Sequence, residues 1–141
     1  MFSKSCTYAI RAVLYLALHT DPENKVGVKT IAEALDVPKP FLAKLLQQLS
    51  RHRLISSSRG LHGGFFLSEQ DQERSLRTVI ESIEGPEVFT SCILGLPTCS
   101  SQNPCPFHDK ALLLRNGLED AVTNHTIREF AQKIKAGNLT I

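Results

Sequence analysis

The stretch that decides the fold runs Lys29-Thr30-Ile31-Ala32-Glu33-Ala34-Leu35-Asp36-Val37-Pro38-Lys39-Pro40-Phe41-Leu42-Ala43-Lys44-Leu45-Leu46-Gln47-Gln48-Leu49-Ser50-Arg51-His52, then Arg53-Leu54-Ile55-Ser56-Ser57-Ser58-Arg59-Gly60-Leu61-His62-Gly63-Gly64-Phe65-Phe66-Leu67. Ile31, Ala32 and Leu35 recur at helical spacing, so a short helix over about 29–35 is predicted. Asp36-Val37-Pro38 makes a turn. Pro38 and Pro40 then open a second helix over about 39–52, because proline suits a first turn whose N–H groups have no partner. Phe41, Leu42, Leu45, Leu46 and Leu49 form its core face, while Pro40, Ala43, Lys44, Gln47 and Arg51 lie along the other side. Two short helices joined tightly, the second polar and basic outside, are a helix-turn-helix pattern. The β-prone runs on either side of Arg59–Gly64 read as a hairpin, and a hairpin behind a helix-turn-helix makes a winged helix.

Working outward, Tyr8 to His19 carries Ala9, Ile10, Val13, Leu14, Leu16, Ala17 and Leu18, the wide stripe of a largely buried helix. Downstream, Ser75 to Glu84 is amphipathic through Leu76, Val79, Ile80 and Ile83 and stops at Gly85-Pro86. Thr90 to Pro106 has three prolines and three cysteines and is loop-like. A helix from about Phe107 to Val122 follows, with Ala111, Leu114, Leu118 and Ala121 in one stripe. Thr126-Ile127-Arg128-Glu129 has capping-box spacing and begins a last helix burying Phe130, Ala131 and Ile134. The expected architecture is therefore mostly α with a small β-hairpin wing (α+β). Its segments are a winged helix-turn-helix over 1–86, a cysteine-rich loop over 87–106 and C-terminal helices over 107–141.

The 141 residues, 42% apolar and 21% charged, suit one globular domain with an appended element. A net charge of +2 decides little, because nucleic-acid binding needs a local basic surface. No run of about 18 apolar residues is present, and Arg11 interrupts any signal-peptide core, so a cytoplasmic protein with reduced cysteines and no membrane association is expected. The histidines and carboxylates are scattered without a nucleophile–base arrangement, which argues against an enzyme.

Two sets of residues carry chemistry. On the recognition helix and wing, Lys39, Lys44, Arg51 and Arg59 are placed to meet DNA phosphates. Gln47 has the donor–acceptor pair that reads adenine, His62 sits at the wing tip, and Gly63 allows close backbone approach. Singly each is an ordinary solvated residue; together, in this frame, they point to double-stranded DNA. In the loop, Cys92-x6-Cys99-x5-Cys105 with His108 beyond lacks the close pairs of structural zinc sites. Gaps of six and five residues suit something larger than one ion, which favours an iron–sulfur cluster, although free thiols and disulfide exchange stand as alternatives.

An ordered set of residues resembles the Rrf-two family of winged-helix regulators over nearly the whole chain. The set comprises Ser3-Lys4, Tyr8-Ala9-Ile10-Arg11-Ala12, Ile31-Ala32-Glu33, Phe41-Leu42, Leu45-Leu46-Gln47-Gln48-Leu49, Arg59-Gly60, Gly63-Gly64-Phe65, Ile80-Glu81-Ser82-Ile83-Glu84-Gly85 and the three-cysteine loop. The resemblance implies a homodimer joined through a long C-terminal helix on a palindromic operator, with repression the expected outcome. In the cluster-binding branch, Cys92, Cys99 and Cys105 would hold a 2Fe–2S or 4Fe–4S cluster. His108 matches the fourth ligand of one sub-branch. Another sub-branch borrows a carboxylate from the partner's first helix, where this chain has Thr7. Cys6 of the partner subunit is an alternative ligand, with Asp109 a third. Cluster state would then set the spacing of the two winged helices through the long helix. Pro40 and Ala43 depart from the pattern of the cluster regulators, so no target sequence carries over. The alternative within the family is a cluster-free repressor controlled by thiol oxidation or by a protein partner.

Overall fold

Helix α1 (Lys4–His19) begins where the Ser3 hydroxyl accepts from the Cys6 N–H at 3.1 Å. This cap satisfies one of the first-turn donors and starts the helix at Lys4 rather than Tyr8. The computed structural model describes residues 1–141. Cys6, Ala9, Ala12, Val13 and Leu16 are fully buried along α1, which packs against the other helices as the central element. Helices α2 (Val28–Leu35) and α3 (Lys39–Arg51) flank a turn in which Asp36 adopts φ 52°, a left-handed conformation that aspartate tolerates. Arg11 donates to the Leu35 carbonyl at 2.9 Å, satisfying a carbonyl left without a partner at the end of α2.

Leu42, Leu45, Leu46 and Leu49 form the buried face of α3. Phe41 does not join them. It is 38% exposed and stands edge-on to Tyr8 with ring centroids 5.7 Å apart, at the boundary of the buried face. The wing is an antiparallel pair, β1 (Ser56–Ser58) and β2 (Gly64–Phe66), with Ser56 opposite Phe66 and Ser58 opposite Gly64. Val26 exchanges both backbone hydrogen bonds with Phe65 and acts as a short third rung. Gly64 has φ 152°, and a Cβ there would lie 2.6 Å from the Val26 carbonyl oxygen, so this crossing requires glycine. The root of the wing is fixed to α1 by Thr20, whose hydroxyl accepts from Leu67 N–H and donates to the Leu16 carbonyl.

A one-turn helix not read from the sequence, α4 (Glu69–Gln72), follows a capping box of Ser68 and Asp71. Asp71 is buried and accepts from the Ser56 hydroxyl at 2.6 Å and the Ser68 N–H at 3.0 Å, tying wing to helix. Helix α5 (Leu76–Glu84) follows Ser75, whose side chain makes no capping hydrogen bond, and ends at Gly85; a 3-10 turn over Pro86–Phe89 continues it and buries Phe89. After the loop come α6 (His108–Thr123) and α7 (Ile127–Ala136), the latter opened by the capping box of Thr126 and Glu129.

The buried stripe of α6 is His108, Ala111, Arg115 and Val122, with Leu118 half-buried. Leu114 is 55% exposed and Ala121 is exposed, whereas Ala111 and Leu118 stay on the covered side, so the stripe is turned by roughly half the ~100° of one residue from the apolar one expected. On α7, Ile127 and Ala131 are buried whereas Phe130 and Ile134 are half-buried. One continuous cluster of buried apolar side chains runs from Cys6 through Leu46 and Ile80 to Val122 and Ile127, so the C-terminal helices share the core of the helix-turn-helix. No helix is long and apolar enough to cross a membrane.

Candidate functional site

On the outer side of α3, Lys39, Lys44, Gln47 and Arg51 are exposed, as are Arg59 and His62 on the wing. Gln47 and Arg51 are one helical turn apart. With Ser50, Ser57, Arg59 and Phe65 they line a concavity of about 370 Å³ between α3 and the wing. The Ser50 and Ser57 hydroxyls, 3.1 Å apart, join α3 to β1 across it. Lys44, Arg51, Arg59 and Lys39 enter no ion pair within the chain, so their charges are free to meet an external anion. Not every candidate falls in this hollow. Lys39 borders a different one at the α2–α3 turn, beside Lys29, Glu33 and Asp36. His62 and Gly63 lie at the wing tip with His19, Lys25 and Leu61. A Cβ on Gly63 would clash with the Ser58 carbonyl, so the loop's own packing already requires this glycine.

The pose of α3 is set from behind by residues that periodicity does not flag. Gln48 Nε2 donates to the Ser82 carbonyl at 2.8 Å, and His52 Nδ1 lies 2.5 Å from the Ser82 hydroxyl. These two side chains, one turn apart, fasten the recognition helix to α5.

The second site lies beyond the same end of α5, where the loop meets α6. Cys92 is buried and Cys99 and Cys105 are partly buried, while His108 is 6% exposed in the first turn of α6. Cys92 Sγ and Cys105 Sγ stand 3.8 Å apart, and Cys99 Sγ is 3.4 Å from His108 Nδ1. The first distance is far beyond an S–S bond of about 2.05 Å. It matches the ~3.7 Å that separates two thiolates on one tetrahedral ion with ~2.3 Å bonds. No three His, Cys, Asp or Glu side chains close round a single ion-sized point; the donors stand as two separate pairs.

Backbone N–H groups of Leu94 and Leu96 point at Cys92, and with the Cys105 thiol and the Arg115 charge they hold its thiol below the ordinary range, against opposition from burial. Arg115 is only 7% exposed; it donates to the carbonyls of Thr90 (3.2 Å) and Ser91, and to Cys99 Sγ at 3.3 Å. Sequence reasoning missed Arg115. Its only signal was a charged residue seven positions after His108, on the same helical face.

Cys6 is in a different environment. It is fully buried on α1, and its thiol is pushed up to about 12 by burial, with the nearby Glu84 carboxylate adding to the effect. Its thiol is in its own chain's core, and Thr7 beside it is exposed. Asp109 is exposed in the first turn of α6.

Residues 2–133 match the profile of Rrf2, described as an iron-dependent transcriptional regulator. A protein of Aquifex aeolicus named among the HTH-type transcriptional regulators is 33% identical over 131 residues, 92% of this chain and 90% of that one. The regulator IscR of Pectobacterium atrosepticum is 27% identical and covers 94% of this chain and 79% of its own length. The repressor NsrR of Streptomyces coelicolor is also 27% identical, over 84% of this chain and 75% of its own. Among solved structures, CymR, the global cysteine regulator of Bacillus subtilis, superposes with a TM-score of 0.75 at 20% identity, covering 94% of this chain and 97% of that one. IscR of T. potens gives 0.74 at 20% identity, over 100% and 93%. Both share the mostly helical fold with a two-stranded wing. The profile match and the fold agree over almost the full length, so this chain belongs to the Rrf2 family: it is a DNA-binding transcriptional regulator and not an enzyme.

Proposed function

We propose that the chain acts as a homodimeric repressor on a palindromic DNA site in the cytoplasm, its operator affinity set by an iron–sulfur cluster held by Cys92, Cys99, Cys105 and His108. The observation that carries this reading is the convergence of three loop thiols and one imidazole into two contact pairs beside a buried guanidinium. These donors suit iron with sulfide, the pairing distance suits thiolates on a shared metal, and free N–H groups of the loop reach the Cys92 sulfur. When bound, such a group supplies a centre that changes charge or is lost in response to oxidant, iron scarcity or nitric oxide. His108 is favoured as fourth ligand over Cys6 of the partner subunit, because Cys6 is enclosed in its own core. The cluster is 2Fe–2S or 4Fe–4S; the donor set accepts either.

The DNA side follows from the exposed cations. Lys39, Lys44, Arg51 and Arg59 take phosphates, Gln47 reads a base edge, and the wing tip with His62 and Gly63 follows the backbone. Dimerisation is supported by α6, where Leu112, Leu113 and Leu114 are 39%, 69% and 55% exposed. Three successive helical positions sweep about 200° of the circumference, too broad an apolar surface for a helix in water, and a second copy presenting the same face would cover it.

A second reading has its own observation. Cys92 and Cys105 are close enough to be joined with little backbone movement: the two thiols would give up two protons and two electrons to hydrogen peroxide, leaving a disulfide and two waters. The likeness in fold to CymR, also solved in an oxidised form from Staphylococcus aureus, keeps this cluster-free repressor, or one governed by a protein partner, in view. Anaerobic purification separates the two. Broad absorption at roughly 320–420 nm with about two to four irons and matching sulfide per chain, and a Cys99→Ala variant whose DNA binding no longer follows the cluster, are expected. A colourless protein after reconstitution, or an unchanged response in C99A, overturns the cluster reading.

A further inference from the structure

The buried face of α6 presents, in order, His108, Ala111 and Arg115 to the cysteine loop. The alanine is small and leaves the imidazole and the guanidinium facing the same sulfur: His108 Nδ1 is 3.4 Å and Arg115 Nη2 is 3.3 Å from Cys99 Sγ. No carboxylate accompanies this arginine. Every other charge pair of the chain, including those of Arg77 and Arg128, is a cation with an acidic partner. Arg115 instead has two backbone carbonyls and a thiol, and its Nε is buried with no partner. Guanidinium stays charged at any pH the protein meets. A buried cation without an anion is unfavourable, and an unsatisfied buried donor adds to that. The protein's own side chains therefore offer Arg115 no fixed anion, on the side where Cys99 lies.

We propose that Arg115 is the resident counter-charge of the cysteine centre, a positioning residue whose positive charge offsets the negative charge of a thiolate-held cluster beside Cys99 and whose fork fixes the loop at Thr90 and Ser91. This rests on the cluster reading above. It differs from a purely architectural role in one respect: the charge itself matters, not only the hydrogen bonds. Arg115→Lys keeps the charge and loses the planar fork, whereas Arg115→Gln keeps a donor and loses the charge.

The test loads the full-length wild type, R115K and R115Q with iron and sulfide without oxygen, and follows iron release to a chelator by absorbance. Release from R115Q is expected to be about tenfold faster or more, the usual cost of losing a partner of a metal-bound side chain, with R115K staying much closer to wild type. Equal release from all three, or equally fast release from both variants, overturns the counter-charge. A wild type that takes up no iron and sulfide overturns the cluster reading as well, which separates the two failures. Should R115Q not fold by circular dichroism, the wild type with nitrogen-labelled arginine keeps the test. The Arg115 Nε–H signal must broaden when the loaded centre is reduced by one electron with dithionite to its paramagnetic form, and an unaltered signal refutes the placement.

Discussion

Replacing Arg51 and Arg59 together by alanine should flatten the salt dependence of DNA binding by an amount fixed by counting. Both side chains are exposed on the hollow between α3 and the wing, and neither enters an ion pair, so removing them leaves the core untouched and stability within about 0.5 kcal/mol. If each meets one phosphate, a dimer loses four contacts. At a slope of about 0.9 per phosphate on duplex DNA, the plot of log affinity against log salt flattens by about 3.6. Raising salt from about 50 to about 200 mM should then cost the wild type roughly 150-fold more affinity than the variant. Fluorescence anisotropy on a random-sequence duplex measures this, since phosphate contacts carry no sequence information. A Lys133→Ala, Lys135→Ala control on α7, distant in sequence from the recognition helix, should leave the slope unchanged. A monomer on DNA would halve the effect to about 1.8. A slope that does not change at all would refute the assignment of this hollow to DNA.

Other consequences are more local. Cys6 should resist iodoacetamide in the folded metal-free protein while the three loop thiols react, and mass spectrometry counts the adducts. Its folded pKa of about 12 lies above the ~8.5 of a free thiol, so its contribution to stability is full below ~8.5 and is lost as pH rises through the folded value; Cys6→Ala should flatten the alkaline decline in urea midpoint, and an identical decline counts against it. Asp71→Ala removes the acceptor of the Ser56 hydroxyl and the Ser68 N–H from a buried site, for an expected loss of about 1–3 kcal/mol in urea unfolding; less than about 0.5 kcal/mol would mean water replaces the carboxylate. Leu113→Glu on the outer face of α6 should give a monomer in sedimentation equilibrium with the fold intact, whereas an unchanged dimer mass excludes that face as the contact.

What the sequence disclosed, and what it hid, follows from how far apart the interacting residues are. The helix-turn-helix was legible because Leu42, Leu45, Leu46 and Leu49 repeat within a few turns, and the wing because Gly63 and Gly64 sit where the chain must reverse. Phe41 was misplaced because a helical wheel marks the width of an apolar face but not which edge residue a neighbour such as Tyr8 will leave half-covered. The stripe of α6 was misread for a related reason. Apolar counting discards His108 and Arg115, yet both are buried beside Ala111 and Val122, since their partners lie on the loop. The grouping of the cysteines was visible in spacing alone. The anchor of α3 was not: Ser82 acts through its carbonyl and hydroxyl on residues 34 and 30 positions away, and local pattern carries no trace of that.

The two sites are connected through α5 and α6, and the physical character of that connection bears on how a signal would travel. From the loop, Arg115 holds the carbonyls of Thr90 and Ser91, which follow the 3-10 turn at the end of α5. Arg77 on α5 pairs with Glu81 on its own helix and with Glu119 on α6. Ser82, at the same end of α5, fastens α3. Contact along such a chain is not coupling unless some element has two arrangements. The α1–α3–α5 core is close-packed and fully buried at Leu46, Ile80 and Val13, and interiors of that kind resist gradual deformation. The loop and the first turn of α6 differ: their donors form two separate pairs, and Arg115 keeps an unpaired Nε. That is where a second arrangement costs least. Leu112, Leu113 and Leu114, the face proposed to meet a second copy, begin one turn after His108. On the proposed dimer, a change at the cysteines would be felt first as a shift of one protomer against the other. Regulation would alter the distance between two intact recognition helices, not the shape of either, so cluster state should change affinity for a full palindrome far more than for a single half-site.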